Sequence, residues 1–344
     1  MSAQRHSLTI GFGGEWIVTE EQLFNNTPSR YDGISYDQEI EMRTTACERI
    51  DNIRNAHRKI EGQELRDSPS FMRQQVVVTA KLLLQRFYTQ HSFKTHPWQD
   101  VALAALFLAA KLEDRPMKLV LILNKFFLMQ DKHHVDFVDR SRDEEYLSMK
   151  EQVLKYERII LNTLAYNFTY SSTQQAKTLK TIVRRLVPEK AARKKAESTA
   201  KTLLNDSFST VACLLYSPDT IAGAMVYLGL RMSGGTTSVE GEKQGEAQDV
   251  WIAQFGASKK QVSKISSEML SLYDRKLRSV GKTSLRMVNL RRAVERELGD
   301  LSRSSDPDTS NAPAPAEPGT GGGGHDNPES PLKRLRKDPA PTEP

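Results

Sequence analysis

Two stretches of the chain are apolar on nearly every side, and each closely resembles the other. Val101–Lys111 reads VALAALFLAAK and Ile221–Arg231 reads IAGAMVYLGLR. At a constant offset of 120 residues, Val101 aligns with Ile221, Ala102 with Ala222, Ala104 with Ala224, Phe107 with Tyr227, Leu108 with Leu228 and Lys111 with Arg231. A helix that is apolar all round is a buried helix. Ala or Gly recurs where a bulky side chain would otherwise hold neighbours away, so both segments predict the central rod of a helical bundle. A repeat at this distance implies two copies of one domain rather than a solenoid of short units.

The flanking pattern supplies the other helices of each bundle. From Tyr36 to about Ile60, Ile40, Met42, Ala46, Ile50 and Ile53 recur at helical spacing among charged residues. Asp67-Ser68-Pro69 is a helix start, and the helix it opens runs through VVVTAKLLLQRFY to about Gln90. The first rod spans 98–112, MKLVLILNKFFLMQ forms a fourth helix, and a fifth runs from about Tyr146 to Leu164. The second copy repeats this order. One helix is capped by Ser171 or Ser172, a basic helix leads from Glu189 into LLNDSFSTVACLLY, and Ser217-Pro218-Asp219 opens the second rod. After a Gly/Ser/Glu insertion at 233–247, 250–255 and 258–277 close the bundle. No alternating strand pattern of useful length occurs. The expected fold is therefore all-α. It comprises an irregular N-terminal arm (1–35) pinned by Trp16, Ile17, Leu23 and Phe24, a first five-helix repeat (36–168), a second (169–280), and a mostly disordered tail (281–344). Within that tail, 285–298 could form one amphipathic helix. From Ser302 onward, Pro, Ala, Gly, Ser and Asp dominate, a composition unable to offset chain entropy by apolar burial.

The 344 residues accommodate two such domains, and the apolar content of 38% suits two helical cores with polar ends. A formal net charge of +6 tolerates an acidic partner or nucleic acid without requiring either. Cys47 and Cys213 are the only cysteines, so neither a disulfide framework nor zinc spacing is available and a reducing compartment is expected. There is no apolar run of membrane-spanning length and no charged-then-apolar leader pattern, so no membrane role is expected.

The segments RFYTQHSFKTHP, LFLAAKLEDRP and YERIILNTLAYNF, in that order, resemble the cyclin box. The wider succession resembles the transcriptional cyclins of the T and K group: a Trp ahead of NTPSRYDGI, Leu204-Asn205-Asp206-Ser207 before an apolar run, and Trp251–Phe255 followed by EMLSLYDRK. That resemblance covers about Trp16 to Lys276. It implies tandem five-helix cyclin-box repeats and a non-catalytic subunit that binds and activates a cyclin-dependent kinase of the transcription-elongation class as a heterodimer. The C-terminal domain of RNA polymerase II would be the indirect substrate and the nucleus the site of action. By position in the motif, Lys111 and Glu157 correspond to the family's pair that hydrogen-bonds the kinase backbone near its regulatory helix, with Leu112, Leu161, Tyr166 and Phe168 as apolar neighbours. From the residues alone, Lys111 reads equally as a cation favoured at a helix C-terminus, and Glu157 as a solvated carboxylate.

Other clusters carry less. Lys177, Lys180, Arg184 and Arg185, with Lys190, Arg193, Lys194 and Lys195, form a basic band that reads either as a solvated helical face or as a contact for acidic or nucleic-acid partners, a phosphorylated substrate among them. Lys333, Arg334, Arg336 and Lys337 form a compact basic run suited to nuclear import. His133, His134, Asp136 and Asp139 match no zinc or calcium spacing, so no metal or cofactor is expected. No catalytic residues are expected either: there is no phosphate loop, nucleophile–His–acid set or kinase signature. Where some cyclins carry a docking patch, this chain reads Met42-Arg43-Thr44-Thr45-Ala46 and predicts a polar surface. Two competing functions remain at this stage. One is a DNA-binding general transcription factor of two five-helix repeats, although the chain lacks the CxxC of a zinc ribbon. The other is an RNA-binding adaptor using the basic band.

Overall fold

A computed structural model describes residues 16–61, 72–130, 144–168, 172–233, 252, 256–282 and 284–299. Among the described residues the regular structure is entirely helical: α1 (Glu20–Asn25), α2 (Pro28–Tyr31), α3 (Tyr36–Glu61), α4 (Gln74–Gln90), α5 (Trp98–Leu112), α6 (Leu119–Gln130), α7 (Glu144–Thr163), α8 (Ser172–Leu186), α9 (Lys190–Ser207), α10 (Ala212–Leu215), α11 (Pro218–Ser233), α12 (Lys259–Ser279) and α13 (Leu285–Gly299).

The two matching apolar stretches become α5 and α11, and a separate apolar core surrounds each. Every residue from Val101 to Ala110 is buried, and α3, α4, α6 and α7 pack around them. Thr220–Leu230 is buried in the same way beneath α8, α9 and α12. Small residues allow the close approach. A Cβ on Gly229 would stand 2.8 Å from Ala200 Cβ and 3.0 Å from Ala200 Cα, so α11 and α9 meet where only glycine fits.

The first described residues strap onto both cores. Trp16 is buried in the first core, while Val18 and Leu23 pack with Val211 and Leu214 near α10. The Val18 N–H donates to Leu214 O at 2.8 Å, and Glu20 pairs with Lys264 of α12 at 2.7 Å. The arm is not irregular here. Thr19 opens α1 with a capping box and Thr27 caps α2, which has Pro28 at its first position. Of the four expected pins, Trp16 and Leu23 are buried, whereas Ile17 is exposed and Phe24 lies on the surface stacked against Tyr36.

Three further expectations change. Arg73 has extended backbone, so α4 begins at Gln74 rather than continuing from Pro69. The basic helix does not run on through LLNDSFSTVACLLY: α9 stops at Ser207 and the short α10 follows. Residues 285–299 do form a helix, and Val294 and Leu298 enter the second core, beyond the expected limit at 280. The 233–247 insertion after Ser233, the 250–255 helix apart from the buried Ile252, and the tail beyond 299 lie outside the described residues.

Arg43 is the largest fully buried side chain among the described residues. Its Nε and Nη2 meet Glu39 Oε1 at 2.8 and 2.7 Å, Nη1 donates to Gln85 O and Gln85 Oε1, and Nη2 donates to Tyr88 O. Glu39 also accepts from Thr27 Oγ1. With Arg43 and Ala46 both buried, the Met42–Ala46 stretch is a structural clamp between α3 and α4, not the polar surface its sequence predicts.

Candidate functional site

Lys111 occupies the last turn of α5 and Glu157 the second half of α7, two helices that pack side by side. Lys111 Nζ lies 2.7 Å from Glu157 Oε1. The Lys111 side chain is 45% exposed and that of Glu157 10%, so the pair faces solvent from a partly sheltered carboxylate. Lys111 Nζ also sits 4.1 Å from the centre of the Phe107 ring one turn earlier. These two contacts hold the ammonium in place without using all three of its donors, and Glu157 Oε2 is not engaged by Lys111. The pair can therefore offer both donors and acceptors to a partner's backbone.

The chain closes the two helix ends beside this pair itself. After α5, Arg115 N–H donates to Ala110 O and Asp114 N–H to Lys111 O, with Asp114 at φ +52. After α7, Tyr166 N–H donates to Leu161 O and Ala165 N–H to Asn162 O, with Ala165 at φ +46 and Tyr166 at φ +58. Both are Schellman closures, in which one left-handed residue lets two later amides satisfy otherwise orphaned carbonyls. Neither uses the usual glycine, and left-handed backbone at non-Gly residues carries strain. Thr79 of α4 steadies the first turn by donating to Glu113 Oε1 at 2.6 Å.

The apolar neighbours expected from the sequence divide into two groups. Leu112, Leu161 and Phe168 are partly buried against the first core, whereas Tyr166 is 66% exposed with its ring centre 6.4 Å from that of Phe168. Sequence reasoning missed Leu147 and Leu154, both largely exposed on α7, and Val120 on α6. Leu147, Leu154 and Leu161 recur every seven residues, so they line one ridge, and Leu154, Glu157 and Leu161 follow the i, i+3, i+7 path along it. That heptad spacing, set apart from the core-facing stripe of Tyr146, Val153, Tyr156 and Ile160, was the available signal.

In the second copy, Arg231 matches Lys111 and likewise lies over the aromatic residue one turn back, 5.8 Å from the Tyr227 ring centre. The basic band falls on α8 and α9, with Lys190, Lys194 and Lys195 exposed and Arg193 half-buried. The run containing Lys333, Arg334, Arg336 and Lys337, and the His133–Asp139 cluster, lie outside the described residues. Among the described residues no His, Cys, Asp or Glu cluster is arranged to hold a metal, and no helix is long and apolar enough to cross a membrane.

Residues 67–169 match the family described as cyclin, N-terminal domain. The cyclin pch1 of Schizosaccharomyces pombe is 30% identical over 261 residues, which cover 75% of this chain and 69% of the yeast protein. This chain belongs to the cyclin family. Among the other cyclins it resembles are Cyclin-T1-1 of Oryza sativa, 26% identical over 76% of this chain, and Cyclin-L1 of Danio rerio, 29% identical over 75%. This cyclin spans about half the length of those two relatives, 54% and 47% respectively. Its fold resembles that of one chain in the crystal structure of the yeast RNA Pol II CTD kinase CTDK-1 complex, with a TM-score of 0.56 at 15% identity over 88% of this chain and 87% of that one. It also resembles a chain of the Chaetomium thermophilum CAK complex bound to ATP-gamma-S, with a TM-score of 0.53 at 14% identity over 88% and 97%.

Proposed function

We propose that this cyclin is the non-catalytic regulatory subunit of a cyclin-dependent protein kinase of the transcription-elongation class, and that it promotes phosphorylation of the RNA polymerase II C-terminal domain in the nucleus. The observation that carries the reading is the Lys111–Glu157 pair, 2.7 Å apart, with Leu154 and Leu161 one turn either side of Glu157 on α7. A polar pair with an exposed ammonium, on a helix face that also carries exposed leucine, has the composition of an interface centre with hydrogen-bonding capacity left for a partner. Two features support the choice of partner: kinship with cyclins of the T and L types, and a fold like that of chains in kinase complexes. On this reading 36–168 is the kinase-binding repeat and 169–280, extended by α13, the second repeat. The docked surface would hold the kinase's regulatory helix inward, so that its Lys–Glu pair and metal-binding Asp assemble. The basic run at Lys333–Lys337 would serve import.

The pair is worth little to the cyclin's own fold, because half-exposed ion pairs contribute about 0–1 kcal/mol. Once covered by a partner, its loss leaves buried groups unpaired. Lys111→Ala or Glu157→Ala should therefore weaken kinase co-purification by roughly 2–5 kcal/mol while leaving the cyclin's melting temperature nearly unchanged. Undiminished recovery of the kinase by the double variant would overturn the proposal.

A further inference from the structure

The segment 172–207, comprising α8 and α9, carries nine Lys or Arg against three Asp or Glu, an excess equal to the net +6 of the whole chain. The structure gathers this charge on one side. Leu179, Ile182, Val183 and Leu186 of α8, with Ala196, Ala200, Leu203 and Leu204 of α9, turn into the second core. Lys177, Lys180 and Arg184 recur at i, i+3 and i+7 on the outer face of α8, all exposed. On α9, Lys190, Lys194 and Lys201 lie one to two turns apart on the face that carries Glu197, and Lys180 Nζ reaches Glu197 Oε1 at 3.7 Å. That contact joins the two faces into a single cationic strip. Lys201 belongs to it although it stands apart from the band in sequence. Among the described residues, this is the one ion pair that reaches the strip.

Helix physics accounts for only part of this charge. Arg184 and Arg185 close α8, where cations complement the helix dipole. The cluster of Lys190, Arg193, Lys194 and Lys195 lies in the first two turns of α9, whose first turn has no acidic residue. Cations at a helix N-terminus are unfavourable, and here the Glu189 carboxylate offsets them by accepting from the Ala191 and Ala192 amides. Those amides are thereby occupied, leaving side chains to read a bound anion. The hydroxyls of Thr181, Thr199 and Thr202 donate to their own helix carbonyls, which again leaves recognition to the cations.

We propose that the outer face of the α8–α9 hairpin docks a multiply phosphorylated peptide. The 15-residue α8 is about 22 Å long, the span of roughly seven residues of extended chain. Cations one helical turn apart are spaced by about 5–6 Å, close to the ~7 Å between alternate residues of an extended peptide. Nucleic acid fits less well. No aromatic residue occurs between 172 and 207, so the face has no platform on which bases could stack. The inference does not depend on kinase activation, because it concerns the cyclin chain alone.

The test is fluorescence anisotropy with the full chain, using a labelled peptide with phosphoserines at alternate positions, its unphosphorylated twin, and a single-stranded RNA of equal charge. The phosphopeptide should bind at least about tenfold more tightly than its twin, weaken as salt is added, and outcompete the RNA. Lys180→Glu, Arg184→Glu and Lys194→Glu combined should abolish that preference without changing the helical circular dichroism spectrum. If that variant misfolds, the corresponding three Gln substitutions should still weaken binding severalfold. Equal binding of the two peptides, preferential binding of the RNA, or a folded charge variant that retains full affinity would each overturn the assignment.

Discussion

Glu268 on α12 shows how one side chain can set a pH response. Its Oε1 accepts from the Val211 N–H at 3.0 Å, yet burial pushes the carboxyl up to about 7, against the opposing pull of that hydrogen bond and of Arg275. The folded state therefore holds a proton that the unfolded chain has lost across the window from the ordinary carboxyl value of 4.5 to about 7. Stability contributed by the protonated form is present at the low end of this window and declines as pH rises through 7. Glu268→Gln should flatten the melting-temperature profile between mildly acidic and mildly alkaline pH and raise stability at its alkaline end; a variant profile parallel to wild type would rule this out. Such a group was not legible in the sequence, where Glu268 is one acid in an amphipathic run. Lys111 and Glu157 were legible as a pair only through family resemblance, since no local spacing links residues that lie on separate helices. Arg43 was misread for a similar reason: its partners Gln85 and Tyr88 come from another element.

Among the elements, the rods were the easiest to read and the helix ends the hardest. Apolar periodicity identifies α5 and α11 because burial on every side leaves little room for polar residues. It says nothing about where α9 stops, because LLNDSFSTVACLLY remains apolar enough to continue and tertiary contacts decide the break. The closeness of α9 and α11 makes a sharp prediction. Gly229→Ala adds helix propensity worth about 1 kcal/mol, but it sets a methyl against the Ala200 backbone, which cannot move aside as a side chain would. Overpacking costs of about 1–3 kcal/mol should win, lowering the melting temperature, and Gly229→Val should lower it further. A more stable Gly229→Ala protein would mean the two helices can separate freely. In the first rod the aligned residue is Ala109, so that copy carries a Cβ at the place where the second copy has none.

At the scale of the whole molecule, the two cores are tied together by contacts that no periodicity reveals. Lys81 of α4 pairs with Asp51 and donates to Ser209 Oγ, and Gln85 Nε2 donates to Phe208 O. The arm adds a second tie, with Leu23 buried against Val211 and Leu214. Leu23→Ala should cost about 2–4 kcal/mol in urea unfolding, a loss that an exposed arm residue could not produce; an unchanged midpoint would show that the strap bears no weight. The arm's apolar points were visible in the sequence, but their destination was not, because it depends on how distant segments meet. That distance has a consequence for synthesis. Glu20 and Lys264 are 244 residues apart, so the ribosome releases the arm long before its anchor exists. Closure of the strap must follow translation of most of the second core, and until then Leu23 waits without the surface that will cover it.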